Sequence, residues 1–89
     1  MSFVAFQGVP NDEVLRLDIQ EALLEELALG PDAMRVDVRG SGTGWWSVKL
    51  TRMSDRRSQS GVVTVNEDHA AVLRKLARSL MEALGRDRG

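Results

Sequence analysis

The chain has 89 residues, 43% of them hydrophobic and 28% charged, with a formal net charge of −1; this is the make-up of one ordinary globular domain and unlike that of a disordered tail. It contains no cysteine, which excludes a disulfide framework, a thiolate zinc site and a cysteine nucleophile. No stretch approaches the ~18 consecutive apolar residues that a membrane span needs.

Small secreted domains usually rely on disulfides, so the expected compartment is a reducing one such as the bacterial cytoplasm. The opening residues 1–7 lack a basic stretch followed by a long apolar run and do not read as a signal peptide. The near-neutral total conceals a division. Residues 1–34 carry seven acids against a single base, Arg16, whereas residues 35–89 carry eleven bases against six acids. The aromatic residues are Phe3, Phe6, Trp45 and Trp46, so the core must be mostly Leu, Val and Ala.

In chain order, residues 2–7 are short, apolar and β-prone, an edge strand or a packed arm closed by Gly8 and Pro10. Asn11 or Asp12 can cap a helix over residues 11–29, and Gly30-Pro31 ends it. Leu15, Leu17 and Ile19 also alternate with Arg16 and Asp18 in the manner of a strand. That alternative makes residues 2–7 and 13–18 a hairpin and starts a shorter helix near Ile19, with Asp18 and Glu21 as a capping box. The long helix is the preferred reading.

Residues 34–39 form a half-buried strand, with Met34, Val36 and Val38 on one face and Arg35, Asp37 and Arg39 on the other. The glycine-rich residues 40–44 connect it to a second strand over 45–53. There Trp46, Val48 and Leu50 take the core face, and Trp45, Ser47, Lys49, Thr51 and Met53 the opposite one. Residues 54–60 are polar and read as a loop, and residues 61–65 as a third strand with Val63 and Val65 inward. A helix over 67–84 follows, with Asn66 as its cap and Glu67 and Asp68 in its first turn. Val72, Leu73, Leu76, Ala77, Leu80, Met81 and Leu84 share one face of it, with Arg74, Lys75, Arg78 and Glu82 opposite. Gly85 stops this helix, and residues 85–89 form a frayed tail.

The expected fold is α+β: a three-stranded antiparallel meander flanked by two helices, in the order (β)-α-β-β-β-α, with the N-terminal segment as an optional fourth strand. One unit spans residues 1–89. Helix 11–29 carries two apolar stripes where a surface helix needs one. Leu15, Ile19, Leu23 and Leu27 form the first, and Leu17, Leu24 and Ala28 the second, which the N-terminal arm or a partner must cover.

Candidate sites are weighed on chemistry. The run Gly40-Ser41-Gly42-Thr43-Gly44 joins two strands and lacks the Gly-Lys-Ser/Thr ending that leads into a phosphate-binding helix, so it reads as a hairpin connection. Adjacent strand residues point to opposite faces, so Trp46 belongs to the core. Trp45 lies beside Arg35, Arg39 and Lys49, either covered by the arm or the first helix or serving as a binding anchor; covering is expected. Arg52, Arg56 and Arg57 make the densest basic stretch and are suited to phosphate contacts. His69 has no catalytic companion or metal co-ligand at i+3 or i+4 and reads as a boundary residue. Asp18, Glu21 and Glu25 form a solvated acidic stripe, with Glu26 outside it.

The α-β-β-β-α order resembles double-stranded-RNA-binding domains, and with a leading strand the order is similar to that of ribosome hibernation factors. Both resemblances are of topology and rest on no motif. The RNA-binding family grips phosphates with a lysine-rich start to its last helix, where this chain has Asn66-Glu67-Asp68-His69. Hibernation factors line their helices with basic residues, and the first helix here is acidic.

The expected function is that of a small non-enzymatic protein-interaction domain that self-associates. Its partner is a second copy or another protein, and Leu17, Leu24, Ala28 and Trp45 are the candidate contacts. The alternative is a nucleic-acid- or ribosome-associated module using Arg35, Arg39, Lys49, Arg52, Arg56 and Arg57. No cofactor, metal, membrane contact or small-molecule substrate is expected.

Overall fold

A computed structural model describes residues 2–9, 11–41 and 44–86. Its elements run β1 (Phe3–Gln7), α1 (Glu13–Ala28), β2 (Met34–Gly40), β3 (Gly44–Arg52), β4 (Ser58–Val65) and α2 (His69–Arg86). The α+β class and the β-α-β-β-β-α order are as expected, and the N-terminal segment is a fourth strand.

Extended backbone at Asp12 lets its carboxylate accept from the Leu15 amide at 3.1 Å, and α1 starts there. The helix is continuous from Glu13, which removes the hairpin of residues 2–7 with 13–18. The i,i+4 set prevails over the local alternation because it buries Ile19, Leu23 and Leu27 together. β1 pairs instead with β2, and in parallel, with Phe3 opposite Arg35 and Gln7 opposite Arg39. Parallel neighbours need a crossover, and α1 supplies it. β2, β3 and β4 continue as an antiparallel meander, giving the sheet order β1-β2-β3-β4.

Both helices lie on one face of this sheet. α1 packs on β1 and α2, while α2 packs on β3, β4 and α1. The core between the layers holds Ile19, Leu23, Leu27, Val36, Val38, Trp46, Val48, Leu50, Leu73, Ala77 and Leu84. Trp46 is its largest member, and its indole lies across Gly40, where a Cβ would come within 2.2 Å of the ring. A side chain at position 40 and the indole cannot occupy the same space.

Most boundaries move by one or two residues, and the changes that matter lie around β4 and α2. β4 begins at Ser58 and not at residue 61, because Ser58, Gln59 and Ser60 continue the ladder opposite Thr51, Leu50 and Lys49. The polar connection shrinks to a tight turn closed by Arg52 N–H to Arg57 O at 2.8 Å, with Arg56 at a positive φ of 59°. α2 begins at His69 and not at residue 67: Asp68 has φ 57°, which no right-handed helix contains, so Asn66 stands too far from the helix start to cap it. The same helix continues through Gly85 to Arg86. Pro10, Gly42 and Thr43 of the two connections and residues 87–89 of the expected tail lie outside the described residues.

An uncovered sheet face as the candidate functional site

Because strand residues alternate, burying Val36, Val38, Trp46, Val48 and Leu50 under the helices forces their neighbours to the opposite side. There, no described element covers the sheet. Cross-strand register arranges that face in rows. Phe3, Arg35, Thr51 and Ser58 form the first; Ala5, Asp37, Lys49 and Ser60 the second; Gln7, Arg39, Ser47 and Val62 the third; Trp45 and Thr64 the last. The rows enclose an open, shallow depression of about 690 Å³ floored by Arg35, Asp37, Arg39, Ser47 and Lys49.

The cations on this face are partly engaged. Arg35 reaches the Asp37 carboxylate at 3.3 Å and lies 5.7 Å from the Phe3 ring centroid. Arg39 donates to the Gln7 side-chain oxygen at 3.1 and 3.3 Å. Lys49 stands opposite Asp37 in the ladder. Trp45 is 52% exposed and Val62 69%, so the expected covering of Trp45 does not occur: both helices went to the other face, and β1 lies two strands away. The surface combines three cations, hydroxyls in every row and an aromatic anchor, a set suited to binding carboxylates or phosphates and a flat apolar group.

The remaining candidates are elsewhere. Arg52 leaves the accessible basic set, because the inward phase Trp46, Val48, Leu50 carries it to the helix side, where it is 1% exposed. It clamps Asp55 with two hydrogen bonds of 2.9 and 2.6 Å and donates to the Leu84 carbonyl at 3.1 Å, near the end of α2. These bonds hold the Asp55 carboxyl well below its ordinary range, at about 2, against a smaller opposing effect of desolvation. Arg56 and Arg57 are exposed on the β3–β4 turn, with Arg57 3.8 Å from Asp55, beyond the first row of the face. Leu17 is exposed, Leu24 half-buried and Ala28 exposed along the outer side of α1. They sit on the opposite side of the molecule from Trp45, so the four apolar candidates do not form one site.

Glu26 is the acid whose role the sequence hid. It is 1% exposed, accepts from Arg74 Nε at 3.0 Å and is gripped by Arg78, while Arg74 also reaches Glu25 at 3.2 Å. The Arg78 hydrogen bond is the main reason its carboxyl is held below the ordinary value; burial opposes it and Arg74 adds to it. The same bond raises Arg78. This cluster ties α1 to α2. A mostly apolar cavity of about 370 Å³ opens beside it, between Leu29, Met34, Met81 and Leu84, with Glu26 and Arg52 in its wall. Both charges are already saturated by protein partners, so they act as structural pins there.

His69 is half-buried and meets Trp46 edge-on, with ring centroids 5.2 Å apart, on the helix side and away from the hydroxyl-bearing face. Among the described residues, no group of three or more His, Cys, Asp or Glu side chains is placed to hold a metal ion, and no helix is long and apolar enough to cross a membrane. In comparison with known proteins, no family model, no curated protein and no solved structure matches this chain.

Proposed function

We propose that this chain is a small, non-enzymatic protein-interaction domain that self-associates and offers its uncovered sheet face to a partner. The observation that supports this reading is the one-sided sheet: two helices cover one face, and the other exposes Phe3, Val62 and Trp45 among Arg35, Arg39 and Lys49. A small domain gains stability from every apolar residue it buries, so an indole left half in water is more useful to a partner than to the monomer. The cysteine-free composition suits work in a reducing compartment such as the cytoplasm.

Sedimentation equilibrium over a wide concentration range, repeated in a salt series, tests the self-association. A concentration-dependent rise in mass is expected, and a strict monomer throughout would remove the reading. A second reading, binding of nucleic acid, is favoured by the placement of three cations and Trp45 on one face. Its signature is Trp45 fluorescence quenching by mixed single-stranded RNA, with affinity falling steeply as salt rises. No binding at low salt eliminates it.

A further inference from the structure

We infer that the domain dimerises by antiparallel pairing of β4 with β4 of a second copy, centred on Val62. The inference rests on the self-association proposed above and names its interface.

Among the described residues β4 is the last strand of the sheet, so its outer edge faces no neighbouring strand. Such edges invite another chain and are normally blunted by charge, proline, a bulge or brevity. β4 has none of these. Its eight residues, Ser-Gln-Ser-Gly-Val-Val-Thr-Val, contain no charge and no proline, and its ladder with β3 runs unbroken from Ser58 to Val65. The other edge, β1, has only five residues. On the helix side of the β4 margin, Val63, Val72 and Leu76 remain half-buried. On the open side, Val62 is 69% exposed.

Charge identifies the occupant as a second copy. Arg56 and Arg57 precede β4, and Glu67 and Asp68 follow it. With Val62 on the twofold axis, antiparallel pairing sets Ser60 beside Thr64, Gly61 beside Val63 and Gln59 beside Val65. Just beyond the paired strands, which end at Ser58 and Val65, it brings Arg57 of each copy towards Glu67 of the other. Both ends are then complementary, while the uncharged centre places no like charges opposite one another. Residues that face each other keep their sides, because Ser60, Val62 and Thr64 all belong to the open face. The product is one eight-stranded sheet with four helices on one side and two open faces joined on the other, and the symmetric contact closes on itself.

The absence of cysteine makes cross-linking a clean test of the full chain. Directly opposed residues of antiparallel strands lie about 4.5–5.5 Å apart at Cα, within disulfide range. Val62→Cys is expected to form an intermolecular disulfide rapidly under mild oxidation, and Leu17→Cys on α1 is not. Val62→Lys puts two ammonium groups on the axis without touching the core, and should weaken dimerisation about tenfold with an unchanged circular dichroism spectrum. Glu67→Arg should weaken it as well, and adding Arg57→Glu should restore it, which a structural role of either residue alone would not do. If the wild type dimerises but cross-links through Leu17→Cys and ignores Val62→Lys, self-association stands and the β4 interface is overturned. Open-ended growth beyond the dimer also overturns it. A wild-type monomer at every concentration overturns both.

Discussion

Trp45 and Trp46 are neighbours in sequence and occupy opposite environments. Trp46 is fully buried between Gly40, His69 and the core valines, whereas Trp45 is half exposed. The pair epitomises the two faces of the sheet. On the covered face, apolar groups interlock, and the two buried charges, Glu26 and Arg52, have partners made of protein. On the uncovered face, apolar, charged and hydroxyl groups are interspersed and contact mainly water and one another. Stability therefore resides in the covered face, and if the proposed recognition belongs to the open one, substitutions should separate the two.

The largest effect belongs to the covered face. Trp46→Ala removes the largest buried side chain and leaves a cavity above Gly40, a change that costs about 3–5 kcal/mol. Against a total of about 5–15 kcal/mol for a domain, urea unfolding should show a large fraction of the stability lost. A midpoint shift comparable to that of a surface substitution would contradict the packing described for the indole.

The division of faces was legible in the strands, because period-two alternation assigned Val36, Val38, Trp46 and Val48 to one side without any tertiary knowledge. α2 was legible for the same reason at its own period. What escaped were features decided between elements. The burial of Glu26 depends on Arg74 and Arg78 arriving from 48 and 52 residues away; its one local mark is a phase that follows Ile19 and Leu23 and leaves the stripe of Asp18, Glu21 and Glu25. Arg52 ended a strand pattern whose phase already pointed inward; its charge suggested the surface, and the phase was the better guide. The exposure of Trp45 required knowing that both helices share one face. The parallel placement of β1, which leaves β4 as the long edge, is also a property of the whole topology.

An intermediate effect tests whether the charges of the covered face are saturated as they appear. Glu26→Gln keeps a carbonyl acceptor but removes the charge. Arg74 and Arg78 are 37% and 57% exposed, so water can take them up, and the cost should be about 1–3 kcal/mol. The pH dependence carries a sign. Glu26 and Asp55 have folded-state values below their ordinary 4.5 and 3.8, so their contribution is complete above those values. It is lost as acid protonates them, for Asp55 down to about 2. Wild-type stability should fall below about pH 4.5, and Glu26→Gln should show a shallower acid loss, with the Asp55 part retained. Identical acid slopes in the two proteins would mean that the cluster contributes nothing through its charge.

The smallest expected effect on stability is the most informative about function. Trp45→Ala changes a half-exposed strand position whose neighbours across the ladder are Thr64 and solvent, and should cost about 0.5–1 kcal/mol. With no tyrosine and two tryptophans in the chain, the same substitution leaves Trp46 as the sole indole emitter. Its blue-shifted emission then reports folding, while the reciprocal Trp46→Phe protein reports the open face through Trp45 alone. If that face is the recognition surface, adding the partner should perturb Trp45 emission in the second protein and leave the first unchanged. Trp45→Ala should lose affinity while keeping nearly all of its stability. A partner that binds Trp45→Ala as tightly as the wild type would move recognition off the sheet, to the outer side of α1 where Leu17 and Ala28 are exposed.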